Sequence, residues 1–150
     1  EAKCGFIQKS LALIEENNDC AESPIKSSDF GFQISTNSSL KFKAGEPFKL
    51  FAKCALRCYT RLFHIGPDEN VTVIANIKKK LLKNKPKSFN VSIPDEGTHK
   101  FVGIASTNKI AGRQNIGEEI SAEAFLTQLR AFRLSSGMQA SFQVTLDVAK

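Results

Sequence analysis

Alternation of apolar and polar residues runs through most of the chain and predicts short β-strands. The clearest example is the C-terminal stretch 137–150, where Ala140, Phe142, Val144, Leu146 and Val148 share one face. The same two-residue period recurs at 30–35, 40–42, 48–54, 57–65, 71–77 and 88–94. Residues 100–107, KFVGIAST, form a near-continuous apolar run that is typical of a central strand.

Two segments have helical periodicity instead. In residues 6–17 the apolar positions fall at Phe6, Ile7, Leu11, Leu13 and Ile14. The subset 6, 7, 11 and 14 follows helical spacing and predicts a short amphipathic helix. Residues 112–132 contain a second apolar stripe at Phe125, Leu129 and Phe132. Ser121 precedes this stripe and is predicted to cap the second helix.

Together these patterns predict a mainly β fold with two helices (α+β). We expect an antiparallel β-sandwich of about seven or eight strands, an N-terminal helix and a helix before the last strand. The expected organisation is an N-terminal helical segment and linker at 1–28 and a β-sandwich domain at 29–150, packed as one unit. A chain of 150 residues is long enough to bury a core of its own.

Positive charge is concentrated in one segment. The chain has 21 basic and 15 acidic residues, for a formal net charge of +6. Six lysines with no acid among them lie in IKKKLLKNKPKSF: Lys78, Lys79, Lys80, Lys83, Lys85 and Lys87. Such a run is either a solvated loop or a contact for anionic lipid, cell-wall polymer, nucleic acid or an acidic protein. The lack of interleaved aromatic residues disfavours nucleic acid.

The four cysteines leave three interpretations open: two disulfides, a zinc site or free thiols. Cys4 and Cys20 are too far apart for a zinc knuckle, and the two histidines have no matching ligand spacing, which disfavours zinc. Two disulfides would place the protein in an oxidising compartment.

Catalytic motifs are missing from the sequence. It contains no G-x-S-x-G, H-E-x-x-H or phosphate-binding glycine loop. A thiol enzyme using Cys58 would need a base, and His64 lies about 20 Å away if both share one strand at 3.3 Å per residue. We therefore predict no catalytic residues, no metal and no cofactor, and interpret His64 as a strand residue at the surface or edge of a sheet.

The middle of the chain resembles a bacterial domain family of unknown function. That family occurs on secreted proteins and lipoproteins and beside caspase-like peptidases. The stretches that carry the likeness are GEPFKL (45–50), CYTRLFHI (58–65), PDENVTVIAN (67–76), VSIP (91–94) and FVGIAST (101–107). The resemblance spans roughly 29–149 and implies a β-sandwich module with no established catalytic residues. Cys58 and the lysine segment depart from the family pattern.

The resemblance also places a turn just before Tyr59. If the residues between Cys54 and Cys58 are the turn of a hairpin, the two cysteines face each other across the strands at about 4.5–5.5 Å between Cα atoms, a distance that a disulfide spans. On one straight strand they would be about 13 Å apart and unable to bond. We predict disulfides Cys54–Cys58 and Cys4–Cys20.

The function that we expect is a non-catalytic extracytoplasmic protein-interaction module, part of an envelope or secreted assembly. The alternative is an electrostatic binder of anionic lipid, cell-wall polymer or nucleic acid through the lysine segment, and the third is the thiol enzyme. No apolar run approaches the roughly 18 residues of a membrane helix, and the initial Glu favours a removed signal or lipid anchor. Sequons at Asn37, Asn70 and Asn90 are candidate glycan acceptors.

Overall fold

The computed structural model of the protein describes residues 4–13, 20, 25, 31–36, 41–77, 81–112, 114–135 and 137–149. The described part contains two helices and nine strands. In chain order these are α1 (Phe6–Ala12), β1 (Gln33–Thr36), β2 (Lys41–Lys43), β3 (Pro47–Lys53), β4 (Tyr59–Ile65), β5 (Val71–Asn76), β6 (Lys87–Ser92), β7 (Gly97–Ser106), β8 (Glu119–Ile120), α2 (Ala122–Leu134) and β9 (Gln139–Ala149).

The strands form two sheets, which confirms the predicted mainly β fold with two helices. One sheet has three strands in the order β1-β3-β6, and the other has six in the order β2-β9-β7-β4-β5-β8. Neighbouring strands are antiparallel except β2 and β9, which pair in parallel. The run predicted to be a central strand is β7, which lies between β9 and β4.

The inner strands β4 and β7 of the six-stranded sheet are largely buried on both faces. Toward the three-stranded sheet, the six-stranded sheet contributes Leu62, Phe101 and Leu146 to a core that also holds Leu50 of β3. Toward the helices it contributes Phe63, Val102 and Ile104 to a second core. The protein is therefore layered as small sheet, large sheet and helices, which explains why β4 and β7 lack a clean polar face.

Helix α2 covers the outer face of the large sheet as its apolar stripe predicts. Phe125, Leu129 and Phe132 are buried, and each buried side chain of this size stabilises the fold by about 1.5–3 kcal/mol. The predicted cap is confirmed, because the Ser121 hydroxyl oxygen accepts a hydrogen bond from the Ala124 amide at 3.0 Å. Helix α1 packs alongside through Phe6, whose ring meets Phe125 edge-on at 6.0 Å.

Three local predictions need correction. The first part of the segment 112–132, predicted to be helical, is not helix, because Glu119 and Ile120 pair with β5 as strand β8 and α2 begins at Ala122, directly after the predicted cap Ser121. The N-terminal helix is described only over Phe6–Ala12, and residues 14–17 of its predicted length lie outside the described residues. The hairpin predicted around Cys54 and Cys58 is wrong, because β3 and β4 belong to different sheets.

Candidate functional site

The four cysteines lie in two close pairs, which are the two pairs that the sequence predicts. Cys4 and Cys20 lie at disulfide distance with 5.8 Å between their Cα atoms. Cys54 and Cys58 do so with 6.4 Å between theirs, and both are fully buried. The second pair lies in the crossover, the connection between β3 and β4 in which the chain passes from the small sheet to the large one.

The same crossover holds the end of the lysine segment. Cys58 and Leu81 form an isolated antiparallel bridge, and the Asn84 amide donates to the Cys54 carbonyl oxygen at 2.8 Å. Leu81 is itself buried. Asn84 has a positive φ of 57°, and the Lys85 amide donates to the Leu82 carbonyl oxygen at 3.2 Å, which closes a turn. The disulfide crossover therefore anchors this turn at two points.

The lysines that follow the anchor are exposed. Lys83, Lys85 and Lys87 are open to solvent, whereas Lys78, Lys79 and Lys80 lie outside the described residues. Among the predicted glycan acceptors, Asn70 and Asn90 are exposed and Asn37 lies outside the described residues.

Strand β6 continues from this turn as an edge of the small sheet. It pairs with β3 alone among the described strands, in register from Pro47↔Ser92 to Ala52↔Lys87. Phe89 and Val91 pack inward against the core, while Ser88 and Asn90 are exposed. An edge strand offers unpaired backbone groups to another strand. We call Lys83, Lys85 and strand β6 together the basic edge.

A second candidate site lies on the helix side of the large sheet, around Arg61. This arginine is only 1% exposed, although it sits in β4. Its Nε donates to Asn76 Oδ1 at 3.1 Å, its Nη1 to Gln128 Oε1 at 3.0 Å and to the Ala111 carbonyl at 3.1 Å, and its Nη2 to the Gly112 carbonyl at 2.9 Å. Arg61 therefore ties β5, α2 and the loop after β7 together.

A β-bulge places Asn76 opposite Arg61. The register between β4 and β5 shifts at Leu62/Phe63. Val73 lies in the helix-side core, whereas Ile74 and Ala75 both pack on the core between the sheets. The extra residue turns Asn76 back toward the helix side, as bulges commonly do for functional side chains.

The acceptors around Arg61 are all neutral. Four of its five N–H donors are used, and none of its described partners is a carboxylate. Burial lowers the pKa of the guanidinium from its usual value, but an arginine keeps its charge in proteins. The buried positive charge is thus hydrogen-bonded without being neutralised.

A cleft of about 470 Å³ opens over this arginine. Its wall includes Tyr59, Ile77, Lys109, Ile110, Gln114 and Asn115. No aspartate or glutamate lines it among the described residues. The Gln114 Oε1 atom is buried and has no hydrogen-bond partner in the described structure. We call this space the Arg61 cleft.

The two histidines form a pair that the sequence did not predict. His64 Nε2 and His99 Nδ1 are 2.8 Å apart, and His99 Nε2 is 2.9 Å from the Asp95 carbonyl oxygen. Because a carbonyl only accepts, His99 Nε2 carries a proton, and when the His99 ring is neutral its Nδ1 accepts from His64 Nε2–H. Burial, and then the nearby His99, lower the pKa of His64 to about 4. His64 is a strand residue as predicted, but it lies half-buried in an interior strand and not at a sheet edge.

One sequence signal could have revealed Arg61. It occupies the strand face that also carries Phe63 and Ile65, both of which are buried. A single charged residue on an apolar strand face implies a partnered buried charge. The histidine pair had no comparable signal, because His64 and His99 are brought together only by the β4–β7 register.

The described residues contain no group of three or more histidine, cysteine, aspartate or glutamate side chains that could hold a metal ion. No helix among them is long and apolar enough to cross a membrane.

Comparison with known proteins yields a remote similarity of structure. No protein-family model matches the chain, and no curated protein matches it significantly. Five chains of solved structures do. One is the crystal structure of a CARDB domain from Pyrococcus furiosus in complex with di-metal ions, which is 12% identical, with the match covering 83% of this chain and 100% of that domain at a TM-score of 0.40. The candidate sites above therefore rest on the residues of this chain itself.

Proposed function

We propose that the protein is a non-catalytic, extracytoplasmic binding module that takes an acidic, extended segment of a partner protein along its basic edge. The observation that carries this proposal is the exposed edge strand β6, which directly follows a lysine-bearing turn anchored to the disulfide crossover. The partner would belong to an envelope or secreted assembly.

The geometry of β6 supports strand addition as the mode of binding. The strand is six residues long, and its described pairing partner occupies one side only. Addition of an extended peptide to such an edge supplies main-chain hydrogen bonds, while alternate side chains contact the surface beside it. The anchored turn reduces the ordering cost of binding, because its backbone is already held.

The charge around the edge supports an acidic partner. Lys83, Lys85 and Lys87 are exposed, and no aspartate or glutamate occurs between Ile77 and Pro94. Opposite charges across an interface steer association and exclude basic partners. Lysines on an edge strand also discourage self-association, so the edge suits a selected partner better than a second copy of the chain.

Two observations support a binding module over an enzyme. Every cysteine is engaged in a disulfide, and the two histidines are hydrogen-bonded to each other. The disulfides also support the extracytoplasmic setting, since such bonds persist in oxidising compartments.

The test uses a synthetic peptide in which valine alternates with aspartate, and a control peptide in which lysine replaces aspartate. We expect the acidic peptide alone to bind, to shift the amide NMR signals of β6, and to lose affinity as salt rises. Lys83→Glu/Lys85→Glu should abolish its binding and confer binding to the basic peptide. Lys9→Glu/Lys43→Glu, an equal charge change at exposed lysines elsewhere, should leave acidic-peptide binding within about twofold.

Several results would overturn the proposal. If neither peptide binds, the edge lysines serve only to block self-association. If anionic vesicles or duplex DNA bind through the same lysines and the acidic peptide does not, the electrostatic alternative is the better function. Equal loss of peptide binding in both double variants would show an effect of net charge alone.

A further inference from the structure

The Arg61 cleft is separate from the basic edge and has the size of a small-molecule site. Its volume of about 470 Å³ lies within the roughly 300–1,000 Å³ of ligand pockets. It is bounded by the ends of β4 and β5 and by the loop that carries Lys109 and Gln114. Ile77 and Ile110 supply apolar wall, and Tyr59 supplies an aromatic ring.

The electrostatics of the cleft favour an anion. The Arg61 guanidinium lies beneath it, bonded to carbonyl and amide oxygens that leave its charge uncompensated. Lys109 is exposed at the wall and adds a second positive charge that a ligand reaches directly. With no described acid in the lining, both charges act on the cleft in surroundings of lower polarity than water.

The orphan acceptor in the wall favours a ligand that also donates a hydrogen bond. Gln114 Oε1 is buried and has no partner among the described residues, whereas the backbone carbonyl of Gln114 accepts from Asn76 Nδ2 at 2.9 Å. Buried acceptors are normally satisfied, and an exception requires an explanation. Because Oε1 has almost no exposed surface, a hydroxyl or ammonium group of a ligand supplies the missing donor once the Gln114 side chain turns this atom toward the cleft.

From these three features we infer that the Arg61 cleft binds a small carboxylate that carries a hydroxyl or ammonium group next to the carboxylate. The carboxylate lies toward Lys109 over the buried charge of Arg61, and the neighbouring donor meets Gln114. Ile77 and Ile110 contact the carbon skeleton. Arg61 contributes its charge and the position of the loop, because its side chain is almost fully buried.

The experiment follows amide NMR signals of the full chain during titration with L-malate. Succinate lacks the hydroxyl of malate, and malamide lacks the charge, so the three compounds separate the two requirements. We expect malate to shift the signals of Ile77, Gly112 and Gln114 at millimolar concentrations. Succinate should bind about fivefold more weakly, and malamide should not bind.

Two variants and a control locate the site. Lys109→Ala should weaken malate binding about fivefold or more, whereas Lys43→Ala, an exposed lysine of β2, should not change it. Gln114→Met removes the orphan acceptor and should weaken malate to the level of succinate without lowering the thermal stability of the protein. A loss of malate affinity without a loss of stability identifies Gln114 as a ligand contact, because the loss of a structural contact would lower the stability as well.

The inference is overturned if malate shifts no signal of the cleft, or if malamide binds as well as malate. It is also overturned if Lys109→Ala and Lys43→Ala weaken malate equally, because binding would then follow net charge. If inorganic phosphate shifts the same signals as strongly as malate, the cleft binds simple anions and is not specific for carboxylates. None of these outcomes bears on peptide binding at the basic edge.

Discussion

Cys58 and Leu81 exchange two backbone hydrogen bonds, from the Cys58 amide at 3.3 Å and from the Leu81 amide at 2.6 Å. The partner of Cys58 in its disulfide, Cys54, accepts from the Asn84 amide. A covalent bond between two neighbouring positions of the crossover thus fixes where the lysine segment rejoins the sandwich.

Removal of this disulfide should loosen the lysine segment. We expect Cys54→Ser/Cys58→Ser to lower the free energy of unfolding by about 2 kcal/mol, the value for a short closed loop. Amide hydrogen exchange at Leu81 and Asn84 should accelerate more than in the rest of the protein, because their acceptors lie on the crossover. As a control, Cys4→Ser/Cys20→Ser should not change the ratio of the amide exchange rate of Leu81 to the exchange rates of the β6 amides. Equal protection of Leu81 in both double variants would contradict the anchoring role.

Arg61 should be among the most sensitive positions of the chain. Arg61→Met leaves four acceptors, on Asn76, Ala111, Gly112 and Gln128, without their donor. We expect the free energy of unfolding, measured by chemical denaturation, to fall by about 3 kcal/mol. Gln128→Ala removes a single bond and should cost about 1 kcal/mol. If Arg61→Met is as stable as the parent, the network contributes nothing to folding.

Acid should destabilise the protein through His64. Its pKa is about 4 in the folded protein and about 6.5 when unfolded, so the unfolded chain takes up the proton first. The stability that neutral His64 provides is complete above pH 6.5 and is lost as the pH falls toward 4. The groups that act on His64 are His99 of β7, which lowers its pKa further, and Asp68 and Asp95 in neighbouring turns, which oppose the shift.

The measurement is the free energy of unfolding in urea at several pH values. After allowance for the partial exposure of His64, we expect its contribution to the acid loss to be about 2 kcal/mol. His64→Gln should flatten this part of the profile, and an unchanged slope would assign the acid sensitivity to other groups.

Gly103 tests how closely the two sheets approach. A methyl group added there would lie 2.5 Å from Ile34 Cδ1 and 2.7 Å from Phe32 Cζ. These side chains belong to the core between the sheets, so Gly103→Ala should cost about 1–3 kcal/mol through overpacking. Gly5→Ala, where a methyl group would meet nothing within 4 Å, is the matched control. A thermal midpoint of Gly103→Ala equal to that of the control would show that the core yields at this point.

The features that were predicted correctly are those that depend on residues close together in the chain. The β9 stretch, the α2 stripe and the Ser121 cap were predicted correctly, because periodicity and capping act between residues a few positions apart. The supposed hairpin at Cys54 and Cys58 was wrong, although the pairing of the cysteines was right. A short connection between two strands does not reveal whether they share a sheet, since that depends on the distant partners β6 and β7.

By itself, the sequence determined the mainly β composition with two helices, the cysteine pairs and the single basic segment. The strands, helices and basic segment follow from local spacing or from residue counts, whereas the Cys54–Cys58 pair also needed the turn that the family resemblance implies. Only the tertiary structure decided that Arg61 and Asn76 share a face, that His64 meets His99 and that the lysine turn is held by the crossover. These relationships join residues 15 to 35 positions apart along the chain. They depend on a bulge, a strand register and a crossover between sheets, none of which leaves a periodic trace in the sequence.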